Sequence, residues 1–223
     1  VRMEAAGAHW DLLRRSDKGS LQQHLPRFFP QWLRSRHDEN REVARICAES
    51  VSAVLPDAVL SKATAHYLAQ ILQRLCKDVC AKETSFGDSA VESSEEIRGR
   101  RDRAVTTSLR CMADCLEGGS PSGLGAAEVE CLAGMMGEGE EFGRRVLGSA
   151  NPSVRQAAYN FLGRAALSCP EVLAGCPARL ARQVVGCFAE RDRGCCRPVL
   201  EMAMAVTPGA AAGWGGVDPA KAF

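Results

Sequence analysis

The sequence predicts an all-α fold, and three observations predict it. Apolar residues recur at three- and four-residue spacing through nearly every segment, and no stretch shows the period of two that a half-buried strand requires. Pro, Gly, Asn and Asp interrupt these segments where short helix–helix turns would fall. One segment, Asn151-Pro152-Ser153-Val154-Arg155-Gln156-Ala157-Ala158, combines an N-cap, a proline at the first helical position, an inward valine and an arginine placed to reach back across the turn. A degenerate echo begins at Asp192, 41 residues later, inside the period of about 40–47 residues that HEAT-type repeats show. A weaker partial copy lies at Asp38–Ala48. Together these specify a HEAT/ARM-like α-solenoid of antiparallel helix pairs, against the plainer alternative of an irregular helical bundle.

Each element carries its own signals. Val1–Arg15 reads as a helix with Ala6, Trp10 and Leu13 on one stripe. Ser20–Arg36 continues the period through Leu21, Leu25, Phe28 or Phe29, Trp32 and Leu33, and Pro26 and Pro30 predict a kink or a split there. Asp38 or Asn40 caps a helix carrying Val43, Ile46, Cys47, Ser50 and Val54, which Pro56 ends. One longer helix is expected from Ala58 to Ala81, with Ala63, Tyr67, Ile71, Leu75 and Val79 inward. Thr84–Ser94 is polar and aperiodic, hence a loop. Ser93 and Glu96 have capping-box spacing and start a helix to about Leu116. Gly118–Gly125 reads as a loop, Ala126–Met136 as a weak helix and Glu141–Leu147 as a short one. The helix capped by Asn151 buries Val154, Ala158, Phe161, Leu162 and Ala165, and Pro170 stops it. Further helices are expected over Pro177–Glu190, through Leu180, Val184 and Phe188, and from Gly194 to about Val206. Gly209–Gly216 reads as flexible, with a new helix starting at Asp218-Pro219. The organisation is thus helical repeats over 1–82, an acidic polar loop over 83–94, further HEAT-like repeats over 95–206, and a Gly/Ala-rich loop with the start of the next helix over 207–223.

Composition narrows the function classes. Of 223 residues, 46% are hydrophobic and 5% aromatic, so the core is built from small and aliphatic side chains that favour packed helices. A net charge of +1 gives no whole-molecule attraction to nucleic acid or acidic membranes. No apolar run approaches the roughly 20 residues that span a bilayer, and Arg2, Glu4 and His9 interrupt any signal-peptide core. Eleven cysteines at irregular spacing are an odd count on apolar stripes, which fits reduced thiols in a cytosolic protein and not a disulfide framework. The first residue is Val1, and a helix is expected to start near the last, so both ends read as cuts through a longer protein.

The chemistry-bearing residues do not assemble a catalytic motif. Cys76/Cys80 and Cys111/Cys115 each share a helix face, and the adjacent Cys195 and Cys196 point apart, so the converging Cys pairs of a structural zinc site are not formed. His9, His24, His37 and His66 lie in the first third of the chain. His37-Asp38-Glu39 matches H-x-E without the Pro-Cys-x-x-Cys half of a deaminase signature. No G-x-S-x-G, P-loop or dinucleotide fingerprint is present. What remains is basic: Arg98, Arg100, Arg101 and Arg103, with Arg110 two turns on, and a looser set of Arg27, Arg34 and Arg36. Such fixed charges suit phosphate or an acidic partner. Glu95, Glu96 and Asp102 are interleaved, and the competing reading is a solvated helix face.

Four stretches, in order, resemble the N-terminal helical-repeat region of the listerin family, RING-type E3 ubiquitin ligases of ribosome-associated quality control. They are Leu25–Leu33 with its Trp32; Glu83-Thr84 and Glu95-Glu96-Ile97-Arg98, continuing through Arg103–Leu109; Asn151–Leu162 with Cys169-Pro170-Glu171-Val172; and Gly213-Trp214 with Val217 and Lys221. The pattern departs from the family at Leu200, where a Trp is expected, and over the Gly-rich Gly118–Gly143. The resemblance implies a segment of a long HEAT-repeat arm in the cytosol. That arm helps dock the ligase on stalled large ribosomal subunits and their nascent-chain-sensing cofactor, so that nascent chains are ubiquitinated. It implies no catalytic residue and no cofactor in this segment, since the zinc-binding RING that engages E2 and ubiquitin lies elsewhere in such ligases. The alternative is a HEAT scaffold of transport-receptor or phosphatase-subunit type, for which a more regular repeat period is expected. Terminal repeats without capping neighbours also predict marginal stability for the isolated chain.

Overall fold

The computed structural model describes residues 2–117, 124–137, 142–174 and 184–210. Ten helices lie in these residues: α1 (Arg2–Arg15), α2 (Lys18–Ser35), α3 (Arg41–Val54), α4 (Asp57–His66), α5 (Leu68–Cys80), α6 (Ser94–Glu117), α7 (Ala126–Gly137), α8 (Pro152–Ser168), α9 (Pro170–Ala174) and α10 (Arg193–Ala210). A further helical turn covers 184–187. Among the described residues no strand occurs, so the all-α class holds. The expected loop over Gly118–Gly125 falls mostly outside the described residues, as does the first half of the Pro177–Glu190 helix. The Asp218-Pro219 start lies wholly outside them.

Helices touch in chain order along two rows. In one row α2 meets α5, α5 meets α7, and α7 meets α9; in the other α6 meets α8 and α8 meets α10. The rows join where α6 lies on α2 and α5, and where α9 lies on α8 and α10, while α1 and α3 close the amino-terminal end. The central position of α6 explains an otherwise odd sequence run. Val105, Thr106, Thr107, Ser108 and Leu109 are all buried, because neighbours cover this helix on opposite sides. Thr107 Oγ1 donates to Arg103 O at 2.8 Å, whereas Thr106 Oγ1 and Ser108 Oγ have no partner among the described residues. A buried hydroxyl without a partner costs about 1–3 kcal/mol relative to an apolar group of the same shape. Thr106→Val is therefore expected to raise the unfolding free energy by about 1 kcal/mol, visible as a higher urea midpoint. A lower midpoint would mean that the hydroxyl has a partner in solution.

The local signals hold where they are hydrogen-bonded. Asn40 Oδ1 accepts from Glu42 N at 3.0 Å and from Val43 N at 3.3 Å. Asn151 Oδ1 accepts from Ser153 N at 3.0 Å, with Pro152 in the first turn of α8. Ser93 and Glu96 form the reciprocal box: Glu96 N donates to Ser93 Oγ at 3.2 Å and Ser93 N to Glu96 Oε2 at 3.1 Å. Gly163 faces Met202 of α10, where a Cβ would stand in van der Waals contact at 3.4 Å from Met202 Cα.

Three expectations change. The single helix over Ala58–Ala81 divides at Tyr67, whose backbone leaves the helical region (φ −100°, ψ 12°). The Tyr67 ring then meets Phe29 edge-on at 6.1 Å, and α5 turns Leu68, Ile71, Leu72, Leu75, Cys76 and Val79 into the core. Pro26 and Pro30 do not split α2, which runs unbroken from Lys18 to Ser35. The short helix expected at Glu141–Leu147 is a wide π-turn over Gly143–Leu147, closed by Gly148 N donating to Gly143 O at 2.8 Å. Pro170 does end the preceding helix, and it also begins α9 after the Cys169 cap.

Candidate functional site

The four arginines singled out in the sequence start one helix yet enter different environments, because each residue turns the helix by about 100°. Arg98 is exposed. Arg100 pairs with Glu92 at 2.5 Å, folding the acidic loop back over the start of α6. Gly87 lies directly under this pair, so a Cβ there would displace the Glu92 and Arg100 side-chain ends. Arg101 is only 5% exposed, with Nη1 3.4 Å from Asp102 Oδ1 and with Nε and Nη2 unpartnered among the described residues. The other oxygen of Asp102 accepts from Asn151 Nδ2 at 3.2 Å, so this pair ties α6 to the cap of α8. Arg103 is half-buried and has no charged partner among the described residues.

Arg100 and Arg103 instead share a site with residues far away in sequence. They face a trough of about 610 Å³ between α1 and α6, floored by α2 and α3. Phe28, Trp32, Val43 and Cys47 form much of the floor, and Arg2 and Arg34 join the rim. Trp32 is buried, its Nε1 donating to Ser50 Oγ at 3.0 Å, while Ser50 Oγ donates to Cys47 O at 2.8 Å. His9 stands edge-on to Phe28 at 6.2 Å and to Trp32 at 6.1 Å. Its burial disfavours the imidazolium and holds its pKa below the ordinary value, so it adds little charge at neutral pH. Three rim arginines already hold a carboxylate: Arg2 pairs with Asp38 at 2.9 Å, Arg34 with Asp78, and Arg100 with Glu92.

A second groove, of about 750 Å³, lies between α6, α8 and α10. Its charges are of mixed sign: His37 faces Asp114 at 3.5 Å, Arg164 pairs with Glu117 at 3.1 Å, and Arg110 and Glu201 also line it. Burial again pushes the His37 pKa down, against the opposing pull of Asp114. His66 is exposed and stacks edge-on against Tyr67 at 4.7 Å. His37 also lines a smaller cavity of about 260 Å³ with Asp114, Cys111 and Cys115, where Cys115 and burial push the Cys111 thiol pKa up, away from the thiolate that a reactive Cys–His pair requires.

Two arrangements were not legible from spacing. Glu190 accepts from Arg155 Nε at 2.7 Å and Nη2 at 2.9 Å, from Tyr159 Oη at 3.0 Å, and from the Arg191 and Asp192 backbone N–H groups. Arg155 Nη1 reaches back to Ser149 O at 2.7 Å, the role its place after Val154 suggested. These donors, Arg155 first, hold the Glu190 pKa at about 2. The second is a thiol pair. Cys76 Sγ of α5 donates to Met112 Sδ of α6 at 4.0 Å, and its thiol lies beside Cys131 of α7, an interaction that lowers the Cys131 pKa to about 7 and raises that of Cys76. Among the described residues no three His, Cys, Asp or Glu side chains converge to hold a metal ion, and no helix is long and apolar enough to cross a membrane.

Comparison with known proteins gives one family. The profile of the E3 ubiquitin-protein ligase listerin, N-terminal domain, matches residues 1–223. Searches of curated proteins and of solved structures find no match. The chain belongs to the listerin family of E3 ubiquitin-protein ligases, as its N-terminal domain.

Proposed function

We propose that this domain is a non-catalytic, HEAT/ARM-like scaffold that docks its ligase on stalled large ribosomal subunits in the cytosol, beside the cofactor that senses the nascent chain. Ubiquitin transfer belongs to a RING elsewhere in such a ligase, which holds zinc and positions E2 and ubiquitin. The observation that carries the scaffold reading is the packing of helices on successive neighbours along two rows, which leaves an open, arginine-rimmed trough beside α6. Stacks of this kind present long surfaces and bury their own joints. Arg98, exposed and without a charged partner among the described residues, is the charge of the α6 cluster best placed to meet ribosomal RNA, while the buried Arg101 serves the α6–α8 joint.

Co-sedimentation of the purified domain with large ribosomal subunits across a salt series tests the proposal. Saturable binding that weakens with salt is expected. Arg98→Glu should weaken it severalfold and make the salt dependence shallower by about one phosphate contact. A folded domain that fails to sediment at low salt would overturn the docking reading.

A further inference from the structure

We propose that the trough between α1 and α6 binds an acidic peptide segment of a partner protein, seating a carboxylate on Arg103 and an apolar side chain beside Phe28. This names a partner class within the scaffold reading above and rests on it.

Three features point to this ligand. Three of the four arginines that line the trough already hold a carboxylate, Arg2 that of Asp38, Arg34 that of Asp78 and Arg100 that of Glu92, and Arg103 alone is left without one among the described residues. An incoming Asp or Glu completes the pattern with a charge-assisted hydrogen bond. The floor is apolar and aromatic, with Ala5, Ala6 and Phe28 open enough to meet a side chain. Single-stranded nucleic acid would need exposed ring faces on which bases stack. Trp32 is 1% exposed and the half-buried Phe28 packs against it at 5.7 Å, so these rings offer no pair of faces for successive bases. Arg100, Arg103, Ala104 and Thr107 recur at three- and four-residue spacing, so one face of α6 forms a continuous wall for a chain lying along it.

The test is fluorescence anisotropy on the intact domain with three labelled probes: a peptide alternating Glu and Leu, a matched peptide alternating Lys and Leu, and a uridine oligonucleotide. The acidic peptide is expected to bind with a dissociation constant in the micromolar range, and the basic peptide at least tenfold more weakly. Arg103→Glu and Ala5→Trp should each weaken the acidic peptide about tenfold, the first by reversing the free charge and the second by filling the floor, while Arg103→Lys restores most of the affinity. Far-UV melting curves matching the wild type show that the variants are folded. Equal binding of the two peptides, or affinity indifferent to both Arg103→Glu and Ala5→Trp, overturns the proposal. Arg103-dependent binding of the oligonucleotide without the acidic peptide overturns it in favour of a nucleic-acid surface. A domain that sediments with ribosomal subunits yet ignores the acidic peptide refutes only the trough assignment; one that binds the peptide but not subunits refutes only the docking role.

Discussion

Glu190→Ala is expected to lower the unfolding free energy by about 3–5 kcal/mol, the range seen when one partner of a buried charge pair is removed. The carboxylate is nearly buried, its side chain 6% exposed beside Arg155 at 17%. Its loss leaves the Arg155 guanidinium without its carboxylate and withdraws the acceptor of Tyr159 and of two backbone N–H groups. The same group predicts an acid limb. The folded pKa near 2 lies below the ordinary carboxylate value, so the folded state binds this proton less readily than the unfolded chain. The stabilisation is complete above about pH 4.5 and is lost as pH falls toward 2, on the order of 3 kcal/mol in total. Urea titrations at stepped pH should show that limb flattened in Glu190→Gln. An unaltered limb would place the acid sensitivity elsewhere.

The second large effect is Trp32→Ala, expected to cost about 3–5 kcal/mol through the cavity left by a wholly buried ring. Trp32 packs with Phe28 and His9, and its indole N–H is the donor to Ser50. All these partners lie in α1–α3, and α10 touches only α8 and α9 among the helices it meets most closely. Unfolding should therefore be uneven. Hydrogen exchange should quicken across α1–α3 while α8 and α10 keep their protection. Uniform loss of protection would instead mean that the two rows unfold as one cooperative unit.

How much was legible depended on how local each interaction is. The caps at Asn40, Asn151 and Ser93 were readable because donor and acceptor lie within three residues. The break at Tyr67 was not, since it depends on Phe29, which the chain brings up only in three dimensions. The arginines were visible as a cluster, but spacing alone could not show that Arg101 is buried, tied to Asp102 and through it to Asn151, or that Arg103 faces α2. Cys76 invited pairing with Cys80 on its own helix, whereas its hydrogen bond goes to Met112 on α6 and its thiol neighbour across the packing is Cys131 on α7. Glu190 read only as the end of a helix, for a hub of five donors leaves no mark in its neighbours. The family resemblance came from ordered stretches, among them the Trp32 and Asn151 helices, whose neighbours impose the strongest packing constraints on sequence.

The Asp102–Asn151 bond also has a mechanical meaning. It joins a buried carboxylate on α6 to the residue that caps α8, so sliding α8 by one turn would cost both groups their partner. That joint behaves as a keyed coupling with a single permitted register. The next joint is tied as well: Gln156 Nε2 of α8 donates to Gly194 O of α10 at 3.1 Å, and Cys195 Sγ donates to Pro152 O at 3.3 Å. In any stack of helices an angular change at one joint is multiplied by the length beyond it. With α6, α8 and α10 each tied to the next near the start of α8, the three helices act as one lever, and a tilt imposed at α6 is carried across the row.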